Sequence, residues 1–130
     1  MHRDRTLLTF MIGYGVASLV HFVHNAVYIG AYPHLPMWIT PLVVYASWLV
    51  VAGTGSFGYW LYRSGATAVG LMAIGVYALL GFGGLDHYAV APVSAHSMAM
   101  NATILGEAIA ASVLLVVVVW TGVSSRAETD

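Results

Sequence analysis

The chain has 130 residues, of which 60% are hydrophobic and only 7% charged, with a formal net charge of −1. Soluble domains carry roughly a quarter of their residues as charges, so a water-soluble fold of this length could not bury so much apolar surface, whereas lipid accepts it. The absence of Lys leaves no basic patch for nucleic acid, and the absence of Cys removes disulfides, thiolate metal sites and cysteine nucleophiles.

Four apolar segments follow one another: Leu7–Ala31, Met37–Tyr62, Ala66–Leu85 and Ser97–Gly122. Each holds about 20 residues or more, enough to cross ~30 Å of hydrocarbon as a helix. The first is longer than a signal-peptide core and contains His21, His24 and Asn25, so it reads as a retained span. Tyr32-Pro33-His34-Leu35-Pro36 separates it from the second, because proline cannot continue a helix. Arg63-Ser64-Gly65 is a tight polar turn, and Asp86–Ala95, with Pro92 inside, is the longest connection. The β-branched run Val113–Trp120 would suggest a strand in water, but a lone strand in lipid leaves its backbone unpaired, so a helix is expected. The tail Ser124–Asp130 is polar and expected to fray. The expected architecture is an all-α integral membrane protein: one domain, residues 1–130, folded as a four-transmembrane-helix bundle.

The arginines set an orientation. Arg3 and Arg5 precede the first span, Arg63 lies in the second turn, and Arg126 follows the fourth span. Four spans bring these places to one side, which the positive-inside rule makes cytoplasmic. N- and C-termini are both expected there, in a bacterial inner (plasma) membrane. Tyr59, Trp60 and Tyr62 would then anchor the inner interface, and Tyr28, Tyr32, Trp38 and Tyr88 the outer, periplasmic one.

This topology sorts the histidines. His2 is cytoplasmic, while His21, His24, His34, His87 and His96 fall in the outer half or the outer loops, with Asn25, Asp86, Asn101 and Glu107. Ionisable groups inside spans cost about 2.5–3.5 kcal/mol on insertion scales and usually mark function. At about 100° per residue, Tyr14, His21 and Tyr28 share one face, with His24 and Asn25 on the same side; His96, Met100, Thr103 and Glu107 share another. Counting residues from the helix ends places His21 and Glu107 at about 15 Å depth, so the two polar stripes are expected to face each other.

Metal ligation explains this pattern most sharply. His21 and His24, three apart on one helix, can serve one ion, Glu107 supplies a carboxylate, and His87 or His96 a third imidazole. Asn25, Asp86, Asn101 and Tyr45 are candidates to orient these ligands from behind. An N/O ligand set admits copper, zinc, iron or nickel. Met98 and Met100 add thioethers beside His96, which makes copper the first choice. The function expected on this reading is a transition-metal-binding membrane protein, either a metal-dependent oxidoreductase or a metal-handling protein.

Two alternatives use the same residues. A b-type haem subunit would hold haem between axial histidines on different helices, His24 with His87 or His96. A small transporter or accessory subunit would keep a metal-free polar core, since His and Asn often join membrane helices by hydrogen bonds alone. Its partners would be the lipid bilayer and either further copies of itself or a larger complex, packed through small residues such as Gly70, Gly75, Ala108 and Ser112. Gly84-Leu85-Asp86-His87 is similar to the Gly-x-Asp-His portion of the motif of HupE/UreJ-type nickel permeases; the likeness covers those four residues, without the His-Pro that opens the family motif.

Overall fold

The computed structural model describes residues 2–126, and the described residues contain helices and no strands. The part of the polar tail beyond residue 126 lies outside them, as do the side chains of His2, Arg3 and Arg126. Five α-helices appear in chain order: α1 His2–Val27, α2 Pro41–Arg63, α3 Thr67–Leu80, α4 His87–Val90 and α5 Met98–Arg126. Short 3₁₀ turns at Ile29–Ala31, Gly83–Asp86 and Val93–Ala95 link them. Four segments are long and apolar enough to cross a membrane: Asp4–Val27, Pro41–Arg63, Thr67–Val90 and Met98–Ser125.

The four spans are as expected in number and order, but their boundaries differ: α1 already begins at His2 rather than Leu7, and α5 runs on to Arg126 rather than ending at Gly122. The first helix stops at Val27 rather than Ala31, and the chain turns through a 3₁₀ segment before Pro33. The second begins at Pro41, not Met37: Thr40 accepts a hydrogen bond from Val43 N–H, and proline occupies the first turn, where its missing N–H is no loss. The third does not end at Leu85. It breaks at Gly81, passes through the 3₁₀ turn and resumes as α4 to Val90, so Asp86 and His87 lie within the span and not in a connection.

The packing follows a ring. α1 neighbours α2 and α5, and α3 neighbours α2 and α5. Buried positions recur at alternating intervals of four and three: Leu7, Met11, Tyr14, Ser18 and His21 on α1; Met100, Ile104, Glu107, Ala111, Leu114, Val118 and Thr121 on α5. This is the seven-residue period of helices crossing at a shallow angle. Outside the seams, Ile12, Val16, Leu49, Val50, Val116 and Val119 are all more than half exposed, a surface suited to lipid chains and unsuited to water.

Polarity is distributed unevenly along the seams. At the end holding Arg63 the core is apolar: Leu7, Met11, Val51, Leu71, Ile74, Leu114 and Val118 form one cluster. Tyr77 wedges into it from α3, against Gly15 of α1 and Gly55 of α2, where an added Cβ would come within 2.9 Å and 2.7 Å of its ring or hydroxyl. α2 and α3 approach most closely at Gly70, where a Cβ would lie 2.3 Å from the Tyr62 nitrogen. The turn between them requires Gly65, at φ +97°. Of the other small residues, Ala108 is buried, Gly75 only reaches ordinary contact with Val118, and Ser112 faces outward with its hydroxyl donated to Ala108 O.

One ion pair closes this end. Arg63 Nη1 lies 2.8 Å from Asp4 Oδ2, and Tyr62 Oη donates to Asp4 Oδ1 at 2.9 Å. The Arg63 side chain is 56% exposed, and such pairs contribute about 1 kcal/mol or less. Arg63→Ala is therefore expected to change the unfolding free energy by no more than about 1 kcal/mol, as read from thermal unfolding in detergent.

Candidate functional site

The opposite end gathers the polar residues. His21 and Glu107 come from the facing seams of α1 and α5, and both are buried, at 2% and 1% exposure. His21 Nε2 lies 3.8 Å from Glu107 Oε2, the juxtaposition expected from periodicity. The depth differs: with α1 ending at Val27, His21 sits six residues, about 9 Å, below the end of its helix. Neither carboxylate oxygen of Glu107 has a hydrogen-bond partner among the described residues. Ser18 and Tyr14, one and two turns back along α1 from His21, border the carboxylate; the Ser18 hydroxyl is near enough to Glu107 and to Tyr14 to interact with either, but none of these buried oxygens closes a well-aligned hydrogen bond among the described residues.

The break between α3 and α4 makes room for this pair. A Cβ on Gly84 would stand 3.3 Å from Glu107 Oε2 and 3.4 Å from His21 Nε2, so the glycine brings backbone alongside both groups. It also delivers His87 to the cluster. The His87 ring lies 5.7 Å from that of His21 and 6.1 Å from that of His96, and both His87 and His96 are buried.

Each of the four histidines is held through one ring nitrogen. His21 Nδ1 is 3.5 Å from Thr103 Oγ1, a long contact. His24 Nδ1 is 2.9 Å from Tyr32 Oη, and His87 Nε2 is 3.2 Å from Asn25 Nδ2. His96 Nδ1 lies 3.1 Å from Pro92 O; a carbonyl can only accept, so Nδ1 carries the proton and Nε2 the lone pair in the neutral ring. That Nε2 is buried and has no hydrogen-bond partner among the described residues.

The remaining candidates divide. Asn101 stitches the connection before α5: its Nδ2 donates to Val93 O and His96 O, and its Oδ1 accepts from Tyr88 Oη. Asp86 is exposed and has no ion-pair or hydrogen-bond partner among the described residues. Tyr45 is 40% exposed on α2, outside every ring contact and hydrogen bond of the cluster. Tyr28 is 54% exposed because the helix ends before it. His34 is exposed in the connection between α1 and α2. The thioethers do not converge on the histidines: Met98 is 88% exposed, and Met100 Sδ takes the Ser97 N–H. Copper(I) thus loses the ligands that recommended it.

Tyr32 is the member that sequence reasoning missed. It was assigned to the interface, yet it is 4% exposed, stacks 4.8 Å from His87 and bonds His24. Burial pushes its phenol above the usual range, so it remains a hydroxyl donor at neutral pH. No signal in the sequence marks a loop tyrosine that folds back into the bundle.

As arranged, no three His, Asp or Glu side chains among the described residues are grouped closely enough to hold an ion. The donors nevertheless suit one chemically: an imidazole and a carboxylate 3.8 Å apart can be bridged by an ion about 2.0–2.2 Å from each. Haem fits less well. Axial imidazoles must face a macrocycle, and rings already fill the surroundings: Phe22 against His21, Tyr32 against His87 and Tyr88 against His96. Compared with protein-family models, curated proteins and solved structures, the chain matches none.

Proposed function

We propose that this chain is a four-span integral membrane protein, termini on the cytoplasmic side, that binds one transition-metal ion through His21, His87, His96 and Glu107. The observation that carries the reading is the set of buried donor atoms left unbonded. Among the described residues neither Glu107 oxygen nor His96 Nε2 closes a well-aligned hydrogen bond, and His21 presents Nε2 to the carboxylate at 3.8 Å. A buried polar group without a partner costs about 1–3 kcal/mol, and a cation would satisfy these together. Anchoring an imidazole by one nitrogen while the other ligates is the usual support of a metal-bound histidine. His87 needs one adjustment: turning the Asn25 amide over lets its oxygen accept from Nε2–H and frees the Nδ1 lone pair. His24, tied to Tyr32 and stacked on Tyr28, is left outside the ligand set. The N/O donors suit zinc, iron, nickel or copper(II), for a metal-handling or redox role.

Elemental analysis of detergent-purified protein tests the reading. Near-stoichiometric metal is expected, lost in His21→Ala and His96→Ala and retained in His24→Ala. Equal metal content in all three variants, or none in the wild type, would favour the metal-free polar core of a transporter or accessory subunit. The orientation has its own check. A C-terminal reporter active only in the cytoplasm is expected, and activity outside would reverse the topology.

A further inference from the structure

The buried cluster needs a way in, and one cavity adjoins it. A hollow of about 320 Å³ lies between the first outer loop and the break in the third span, lined by Asn25, Leu35, Pro36, Gly83, Asp86 and His87 among others. Asn25 and His87 bond each other across its wall, and His87 is the ring next to His21. Asp86 stands exposed beside it. Between residues 64 and 106 Asp86 is the only Asp, Glu, Lys or Arg, and residues 6–62 contain none. Asp86 is therefore the one exposed carboxylate at this end among the described residues, Glu107 being buried, and it borders the hollow, while Arg5 and Arg63 lie at the other end.

We propose that this hollow is an entry vestibule for a divalent cation: Asp86 draws the ion to its mouth, and the Asn25–His87 contact is the inner wall it passes to reach His21 and Glu107. The inference rests on the metal-binding reading. A lone carboxylate between low-dielectric walls concentrates cations and raises their rate of arrival, an effect that salt weakens. Asp86 and Gly83 are not among the ligands, so changes there alter the rate of loading and leave the final stoichiometry alone.

Gly83 offers a clean plug. It lines the hollow, an added Cβ meets nothing within 4 Å, and its φ lies outside the left-handed region. The experiment follows Co²⁺ loading of the metal-free, detergent-solubilised chain by stopped-flow absorption, with bound cobalt measured at equilibrium. Gly83→Leu is expected to load at least tenfold more slowly than wild type and to reach the same cobalt content. Asp86→Asn is expected to load several-fold more slowly in low salt and at the wild-type rate in high salt. Gly53→Leu, on the open face of α2, should match wild type throughout. Wild-type loading rates in both Gly83→Leu and Asp86→Asn would overturn the vestibule and leave the metal site standing. Failure of the wild type to take up Co²⁺ would overturn both.

Discussion

Replacing Glu107 by leucine is expected to abolish metal binding and, in the metal-free protein, to raise the thermal unfolding midpoint. The two effects share a cause. Glu107 is 1% exposed, and neither oxygen has a partner among the described residues. Its carboxyl group lies in the closed seam beside His21 and Gly84, a space that leucine, of similar volume, would fill. Exchanging poorly compensated buried polar groups for hydrophobic ones is often neutral or stabilising by about 1–4 kcal/mol. Saturating metal should reverse the order, because an ion bound only by the folded wild type adds stability with its concentration. Unfolding curves of both proteins, with and without metal, read this directly. A metal-free leucine variant much less stable than wild type would mean that Glu107 is a structural hydrogen-bonding residue, and the functional reading would lose its main support.

The second large effect is expected at Gly70. Alanine there would place its Cβ 2.3 Å from Tyr62 N and 2.6 Å from Tyr62 Cα. Both are backbone atoms, so no side chain can swing away and α2 must part from α3. The loss should reach about 3 kcal/mol, the upper end for overpacking. Gly53→Ala is the contrast: its Cβ meets nothing, and the better helix former should gain about 0.5–1 kcal/mol. Thermal unfolding of the two variants in one detergent should move in opposite directions; similar shifts would contradict the close α2–α3 contact.

Hydropathy and helical period made much of this legible. Four spans can be counted because each is a long apolar run, and His21 faces Glu107 because the helical period puts both on the buried seams, although the depth counted for His21 rested on a helix end that lies at Val27 instead. The ends of the spans were harder. Thr40-Pro41 is a capping signal in plain view, but an apolar run that starts at Met37 conceals it. The interruption at Gly81–Gly84 is invisible to hydropathy, since glycine in an apolar stretch serves a straight helix or a break equally. Tyr45 was misplaced because depth along α2 says nothing of rotation about it. Tyr32 and His96 hold their positions through the connections, where no period applies.

The apolar plug around Tyr77 has an electrical consequence. Leu7, Val51, Ile74 and Leu114 fill the half of the bundle that holds Arg63, so the polar seam is closed at that end. An ion bound at His21 as proposed, entering past the Val27 end of α1, would cross about 9 Å of the ~30 Å hydrocarbon thickness, close to a third of a field that falls evenly across it. At about 2.3 kcal/mol per charge per 100 mV, a divalent ion gains roughly 1.5 kcal/mol for every 100 mV, interior negative. That is about tenfold in affinity. On the proposed metal-binding reading, the protein should thus hold a divalent ion about tenfold more tightly at about 100 mV, negative on the Arg63 side, than in detergent.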